Sequence, residues 1–384
     1  MKITIVTSTR ADWGLLSPIA KRLSQMPEVE LSIIATNMHL DPLRGMTINE
    51  IIDDGFTVNY QVEMTPASDS GYDTAEAMAK CLSGMAKAYN ASKPDLILLL
   101  GDRFEMLAVA SAATVMGIPI AHISGGEITE GAIDDNIRHA ISKLASLHFA
   151  TTETHRQRLI AMGERPERVI NTGALGVYNI KNLKLMSKLE LEQSISFNIE
   201  NPTLLVTFHV ATNDAVAPTE RFAELLTAIE RVKCNCIFTY PNNDPGSGEL
   251  INMINQFADK HSERIHVIPS LGKLRYLSSL QYVDAVVGNS SSGIVEVPSA
   301  HIPTLDIGCR QQGRTASKSV IHCADDAASI EQAIRFALSD EGKTLAQTSA
   351  NEYEKENTLD LIIEALTACD ATTLLPKKFY NIKL

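Results

Sequence analysis

Asp95-Leu96-Ile97-Leu98-Leu99-Leu100-Gly101-Asp102-Arg103, followed by Ile120-Ala121-His122-Ile123-Ser124-Gly125-Gly126-Glu127, decides the reading of this chain. Each half is an apolar run that breaks into glycine and charge. A run with no polar alternation predicts a strand buried on both faces, the habit of parallel sheets. Ligands of open parallel sheets bind beyond the carboxyl ends of the strands. Asp102 and Glu127 fall at such ends, and Asp134-Asp135-Asn136-Ile137-Arg138-His139 opens the helix after them. Three acids, two arginines and two histidines are therefore aimed at one crevice.

Working outward, the same unit recurs. Ile3 to Val6 ends in Thr7-Ser8-Thr9-Arg10-Ala11-Asp12 before a helical pattern, and Leu31 to Ala35 ends at Asn37-Met38-His39. Hydroxyls and free backbone N–H groups where a strand meets a helix predict an anion site, with Arg10 within reach of a phosphate. The glycines of a dinucleotide-binding turn are missing, which argues against a nicotinamide or flavin cofactor. Helical patterns cover Ile48 to Asp53 and Thr74 to Tyr89, with a loop at Thr65 to Tyr72 between them. Strands follow at Leu147 to Ala150 and Val169 to Thr172. The pattern breaks at Gly173-Ala174-Leu175-Gly176, where the hinge is placed, and Lys181 to Glu200 reads as polar and irregular.

The second half repeats the scheme, with strands at Thr203 to Phe208, Cys234 to Thr239, Ile265 to Ile268, Ala285 to Val287 and Pro303 to Asp306. The fold class is α/β, two Rossmann-like doubly wound domains facing a cleft. Boundaries are set at 1–176 and 177–350, with a terminal helical segment, 351–384, packing back on the first domain. Here Gly288-Asn289-Ser290-Ser291-Ser292-Gly293-Ile294-Val295-Glu296 predicts an anion site at a helix start, with Glu296 one turn inside. His209 lies past a strand end, and Arg310 and Arg314 sit four apart after the last strand.

At 384 residues the chain exceeds what one core usually serves. A net charge of -12 argues against a nucleic-acid surface. No run is long and apolar enough to span a membrane and no signal peptide is visible, so the expectation is a cytoplasmic protein. The six cysteines are scattered, which predicts buried free thiols and no metal site.

The ordered set Thr7 to Asp12, Met38-His39, Gly101-Asp102-Arg103-Phe104-Glu105, His122 to Glu127, Ile133-Asp134-Asp135, Arg138-His139, Gly288 to Ser299 and Gly308 to Arg314 resembles the UDP-N-acetylglucosamine 2-epimerases, in particular their hydrolysing branch. The resemblance implies a GT-B-like fold, a UDP-sugar substrate, no metal, no cofactor and a homodimer or homotetramer. It implies loss of the C2 proton with expulsion of UDP, then hydration of a 2-acetamidoglycal to free N-acetylmannosamine for sialic-acid-type synthesis. The same chemistry on UDP-2,4-diacetamido-2,4,6-trideoxyglucose is the alternative, with a non-hydrolysing epimerase, a glycosyltransferase or a UDP-sugar-binding module without turnover behind it. Asp102, Glu127, Asp134 and His209 are carried over as acid/base residues. Arg10, His39, Arg138, His139, Asn242, Ser290, Ser291, Ser292, Gly293, Glu296, Arg310 and Arg314 are carried over as substrate contacts. Some family members have an acid where this chain has Ser124. Two plainer readings stay open: Asp102 as a helix cap for the Asp102 to Glu105 spacing, and Asp134 with Arg138 as an i, i+4 ion pair.

Overall fold

The computed structural model describes residues 1–42, 45–68, 70–130, 132–200, 202–211, 216–242 and 246–382. Asp69, in the loop expected at 65–72, lies outside them. The chain divides into two units, one of 1–127, 134–178 and 355–384 and the other of 128–133 and 179–354.

In the first unit the strands are β1 (Lys2–Thr7), β2 (Glu30–Thr36), β3 (Tyr60–Val62), β4 (Leu96–Leu100), β5 (Ile120–Ile123), β6 (Leu147–Ala150) and β7 (Val169–Asn171). They form one parallel sheet in the order β3-β2-β1-β4-β5-β6-β7. Its helices are α1 (Arg10–Ser24), α2 (Ile48–Asp53), α3 (Gly71–Ser92), α4 (Phe104–Val115), α5 (Asp134–Leu144), α6 (Glu153–Ala161) and α7 (Leu175–Asn182). The sheet is covered on both faces. Leu96 and Leu98 join the core that holds Trp13, Leu16 and Ile19, while Ile97 and Leu99 join the one holding Met85, Tyr89 and Val109. Alternate residues of one strand thus enter two different cores, and every position must be apolar.

The second unit repeats the plan with β8 (Thr203–Thr207), β9 (Asn235–Thr239), β10 (Ile265–Ile268), β11 (Ala285–Gly288), β12 (Thr304–Ile307) and β13 (Val320–Cys323), in the order β10-β9-β8-β11-β12-β13. Its helices are α8 (Lys188–Ile195), α9 (Pro218–Val232), α10 (Ser247–Lys260), α11 (Gly272–Ser279), α12 (Ser291–Val295), α13 (Ala327–Leu338) and α14 (Asp340–Thr348). The segment read as irregular contains α8, opened by a Ser187–Glu190 capping box and seated through Leu191 and Ile195. The division between units falls inside α7, after Tyr178, rather than at the glycines 173–176.

A last helix, α15 (Thr358–Ala368), places Leu359, Ile362 and Leu366 in the core beside Trp13 and Leu16. Beyond it the chain runs along α5 and α6. Lys377 Nζ donates to the carbonyls of Lys143 and Ala145 at 2.8 and 2.6 Å, and the Tyr380 N–H to that of Gly163 at 2.8 Å. Lys377 also meets Glu164 at 2.7 Å, which accepts from His148 Nε2 at 2.9 Å and from Lys143 at 2.5 Å.

Burial alone would raise the Glu164 carboxyl, but the bonds from His148, Lys143 and Lys377 outweigh it and bring its pKa down to about 2. A depressed carboxyl stabilises the fold above its unfolded value and loses that contribution as pH falls through the folded one. Stability should therefore drop by roughly 3 kcal/mol on this account between pH ~4.5 and ~2. Urea unfolding across that window should give a flatter curve for Glu164→Gln; an unchanged slope would remove Glu164 as its source.

Candidate active site

In a doubly wound sheet the strand order reverses at one place, leaving a crevice at the carboxyl ends of the two strands there. In the first unit those strands are β1 and β4, and in the second β8 and β11. Ser8 to Arg10 and Gly101 to Arg103 follow the first pair, and Phe208 to Val210 and Asn289 to Ser292 the second.

In the first unit two carboxylates, of Asp102 and Asp135, and the backbone carbonyl of Glu127 meet at Arg138. Its side chain is 1% exposed. Its Nε donates to Asp102 Oδ2 at 2.7 Å, with Nη2 on the same oxygen, and its Nη1 donates to Asp135 Oδ1 at 3.1 Å and to the Glu127 carbonyl at 3.0 Å. Arg138, expected as a substrate contact, is a buried cation bonded to Asp102, Asp135 and the Glu127 carbonyl. Asp102 does not cap α4, whose N-cap is Arg103 with no side-chain cap bond. Asp134 and Asp135 open α5, where the helix dipole favours negative charge. Asp134 is half-buried there. His139 Nε2 lies 3.5 Å from Asp135 Oδ2, its ring held below the usual histidine pKa by burial, and its Nδ1 has no hydrogen-bond partner among the described residues.

Two expectations for this unit are corrected. His39 is fully buried, with Nε2 3.0 Å from Thr7 Oγ1 and Nδ1 2.9 Å from Thr47 Oγ1. Burial lowers its pKa to about 4, so it is a neutral core histidine with both nitrogens engaged rather than a ligand contact. The anion site expected at the start of α1 is filled from within the chain. Asp12 Oδ2 accepts from the Ser8 N–H, the Ser8 hydroxyl and the Thr9 N–H at 3.3, 2.7 and 3.1 Å. These are the donors a phosphate would need. Arg10 stays partly exposed, 3.9 Å from Glu50. Beside Asp12 lies Glu105, fully buried and bonded at 2.9 Å by Arg103 Nε. Burial would raise Glu105, but Arg103, Asn37 and Ser8 outweigh it and hold the pKa low.

In the second unit Asn289 is the clasp, and the sequence reading passed over it. Its Oδ1 accepts from the His209 N–H at 2.7 Å and its Nδ2 donates to the His209 carbonyl at 2.9 Å. Its own carbonyl accepts from Arg310 Nη1 at 3.0 Å and Gln311 Nε2 at 2.9 Å. The close approach depends on Gly288: a Cβ there would lie 1.8 Å from the Thr207 carbonyl oxygen. The Asn242 N–H donates to His209 Nδ1 at 3.0 Å, so the ring proton sits on Nε2. Burial, and then the charge of Arg310, push His209 well below the usual histidine pKa. It is therefore a neutral donor rather than a cationic acid.

Ser290 stands at the N-cap of the short helix α12 without a side-chain cap bond, Gly293 is buried, and Ser291 and Ser292 are half-buried. Glu296 closes α12 instead of lying inside it. Ser292 donates to Glu296, and Tyr276 shares the Ser292 hydroxyl. Burial raises the Glu296 carboxyl. Arg314 follows the turn in which the Glu130 N–H donates to the Gln312 carbonyl at 3.1 Å. Glu130 comes from 128–133, the piece of chain after Glu127 that belongs to the second unit.

Replacing Gly288 by alanine should lower the melting temperature by several degrees, because the new methyl would push Thr207 of β8 away from β11. An unchanged melting temperature would show that the two strands do not need this close approach.

Comparison with known proteins bears on what this geometry serves. The family model described as UDP-N-acetylglucosamine 2-epimerase matches residues 21–367. A Campylobacter jejuni protein named GDP/UDP-N,N'-diacetylbacillosamine 2-epimerase (hydrolyzing) is 38% identical over 322 residues, 83% of each chain. The Escherichia coli polysialic acid biosynthesis protein P7 is 34% identical, covering 93% of this chain and 91% of its own. In fold, the chain is similar to the UDP-GlcNAc 2-epimerase of Neisseria meningitidis bound to UDP-GlcNAc, with a TM-score of 0.79 at 18% identity over 96% of this chain and all of that one.

Proposed function

The chain belongs to the UDP-N-acetylglucosamine 2-epimerase family, and on that footing we propose that it is a hydrolysing 2-epimerase, releasing UDP and a free 2-epimerised acetamido sugar. The observation that carries the reading is that Arg138 ties together Asp102, the backbone of Glu127 and Asp135, the neighbour of Asp134 at the start of α5, in a chain 38% identical to a relative named as hydrolysing.

Inverting C2 needs a proton removed from one face and another delivered to the opposite face, which takes more than one acid/base group. In the first half-reaction a base takes the C2 proton, the C2–H electrons form the C1–C2 double bond, and the C1–O bond breaks with its electron pair leaving on UDP. In the second, the oxygen of water bonds to C1 and gives up one proton to a base while an acid delivers a proton to C2, giving the free sugar. Asp102, Glu127 and Asp134 are assigned the proton transfers. Departure of the diphosphate calls for donors and positive charge rather than a nucleophile. The His209 Nε2–H, the hydroxyls of Ser290 and Ser291, Arg310 and Arg314 are assigned that role, with Glu296 accepting from the ribose.

The sugar favoured is UDP-2,4-diacetamido-2,4,6-trideoxyglucose, on the name of the C. jejuni relative. The polysialic acid biosynthesis relative favours a second reading, UDP-N-acetylglucosamine to N-acetylmannosamine.

An NMR time course in deuterated water with each UDP-sugar tests the reading. Free manno-configured sugar with deuterium at C2, plus UDP, is expected. A UDP-linked epimer would mean the non-hydrolysing reaction, and no consumption of either substrate would favour a transferase or a binding module. Asp102→Asn should abolish turnover with UDP affinity nearly intact. Glu296→Ala should weaken substrate binding about tenfold or more, the scale of a hydrogen bond to a charged group; unchanged apparent affinity would take Glu296 out of the site.

A further inference from the structure

Glu127 is the most enclosed of the three acids, at 5% exposure, and what encloses it is ordered. Thr151 Oγ1 donates to Glu127 Oε1 at 2.9 Å, and the same oxygen lies 2.9 Å from His155 Nδ1. A hydroxyl has one proton. Once Thr151 has given it to the carboxylate, its oxygen can only accept, so His155 carries its proton on Nδ1. The direction of the chain is thereby fixed, from the His155 N–H through the Thr151 O–H to Glu127.

Thr151 and His155 are 2% and 1% exposed and stand on rigid supports. Thr151 directly follows β6, and His155 lies in the first turn of α6, where its N–H donates to the capping hydroxyl of Thr152 at 3.2 Å. The same helix sends Arg158 to the Gly126 carbonyl. Gly126 sits at φ +79°, so close to α6 that a Cβ would lie 2.6 Å from the His155 carbonyl oxygen. On its other side Glu127 is held through its own carbonyl by Arg138.

We propose that Thr151 and His155 are positioning residues for Glu127, fixing one orientation of its carboxylate and stabilising its charged form. The inference rests on the reading of Glu127 as an acid/base group. Charged and titratable groups beside it among the described residues include Arg138 of α5 and His155 and Arg158 of α6. A hydroxyl donated to a carboxylate favours the ionised form. Its removal must move the Glu127 titration upward.

The test uses the full-length protein, with wild-type turnover measured first. Thr151→Val should lower kcat roughly 10- to 100-fold, the scale of one hydrogen bond to a charged group, with KM little changed. The limb of its kcat/KM profile set by Glu127 should shift to higher pH. Thr151→Ser should restore both. His155→Asn, whose amide can donate from the Nδ1 position, should keep most activity, while His155→Leu should lose it. Wild-type kcat and an unmoved pH limb in Thr151→Val would overturn the proposal and leave the proposed reaction standing. If wild type turns over neither UDP-sugar, the reaction falls, and the chain is judged by 15N NMR of the histidine rings alone. The Nδ1–H tautomer of His155, lost in Thr151→Val, supports it; a bare Nδ1 overturns it.

Discussion

Three separate stretches of the first unit are tied together by one buried guanidinium. Arg138 reaches the end of β4 through Asp102, the segment after β5 through the Glu127 carbonyl, and the opening turn of its own helix through Asp135. Removing one partner of such a buried group costs on the order of 3–5 kcal/mol, because the survivor stays desolvated and unpaired. Lysine cannot replace it. A compact ammonium lacks the planar fork that serves three acceptors in three directions from one place. The constraint also explains why the acids come from separate stretches of sequence: the sheet order brings β4 and β5 side by side, and α5 follows β5.

The second unit solves the equivalent problem with a neutral amide at its centre. Asn289 exchanges both its amide hydrogen bonds with the His209 backbone and offers its own carbonyl to Arg310 and Gln311. The amide is neutral and carries both donor and acceptor, so it closes the gap between β8 and β11 at little desolvation cost. The consequence for His209 is chemical. With Nδ1 accepting from Asn242 and the ring buried, the side chain is left as an Nε2 donor, which suits a departing anion better than it suits proton abstraction.

The parallel sheets were legible because their signal is local. Runs such as Leu96 to Leu100 are apolar at every position since their two faces feed two cores. The edge strand β3 and the last strand β13 were missed because an edge strand needs no continuous apolar run: Gln61 and His322 are exposed within them. Helix α8 was missed because two buried residues suffice to seat it. The acids were legible as residues just past strand ends, but not their partners. Arg138 reads as a surface arginine one turn after Asp134, and only the approach of β4, far back in sequence, buries it. His39 failed in the opposite direction, since position past a strand does not say whether a ring faces out or turns in beneath Thr7 and Thr47.

Ser124 gains its meaning from the same geometry. Its backbone is at φ +66°, a left-handed conformation at the point where the chain leaves β5. That turn, with Gly126 at φ +79°, leads the chain under α6 and delivers Glu127 to Thr151 and Arg138. An acid at position 124 would be presented from the end of β5 itself, whereas Glu127 is presented three residues later by a loop clamped on both sides. A carboxylate placed by a strand end is held by the sheet, while one placed by a loop must be held by hydrogen bonds. The ordered hydroxyl and imidazole behind Glu127 are what hold a carboxylate presented in this way.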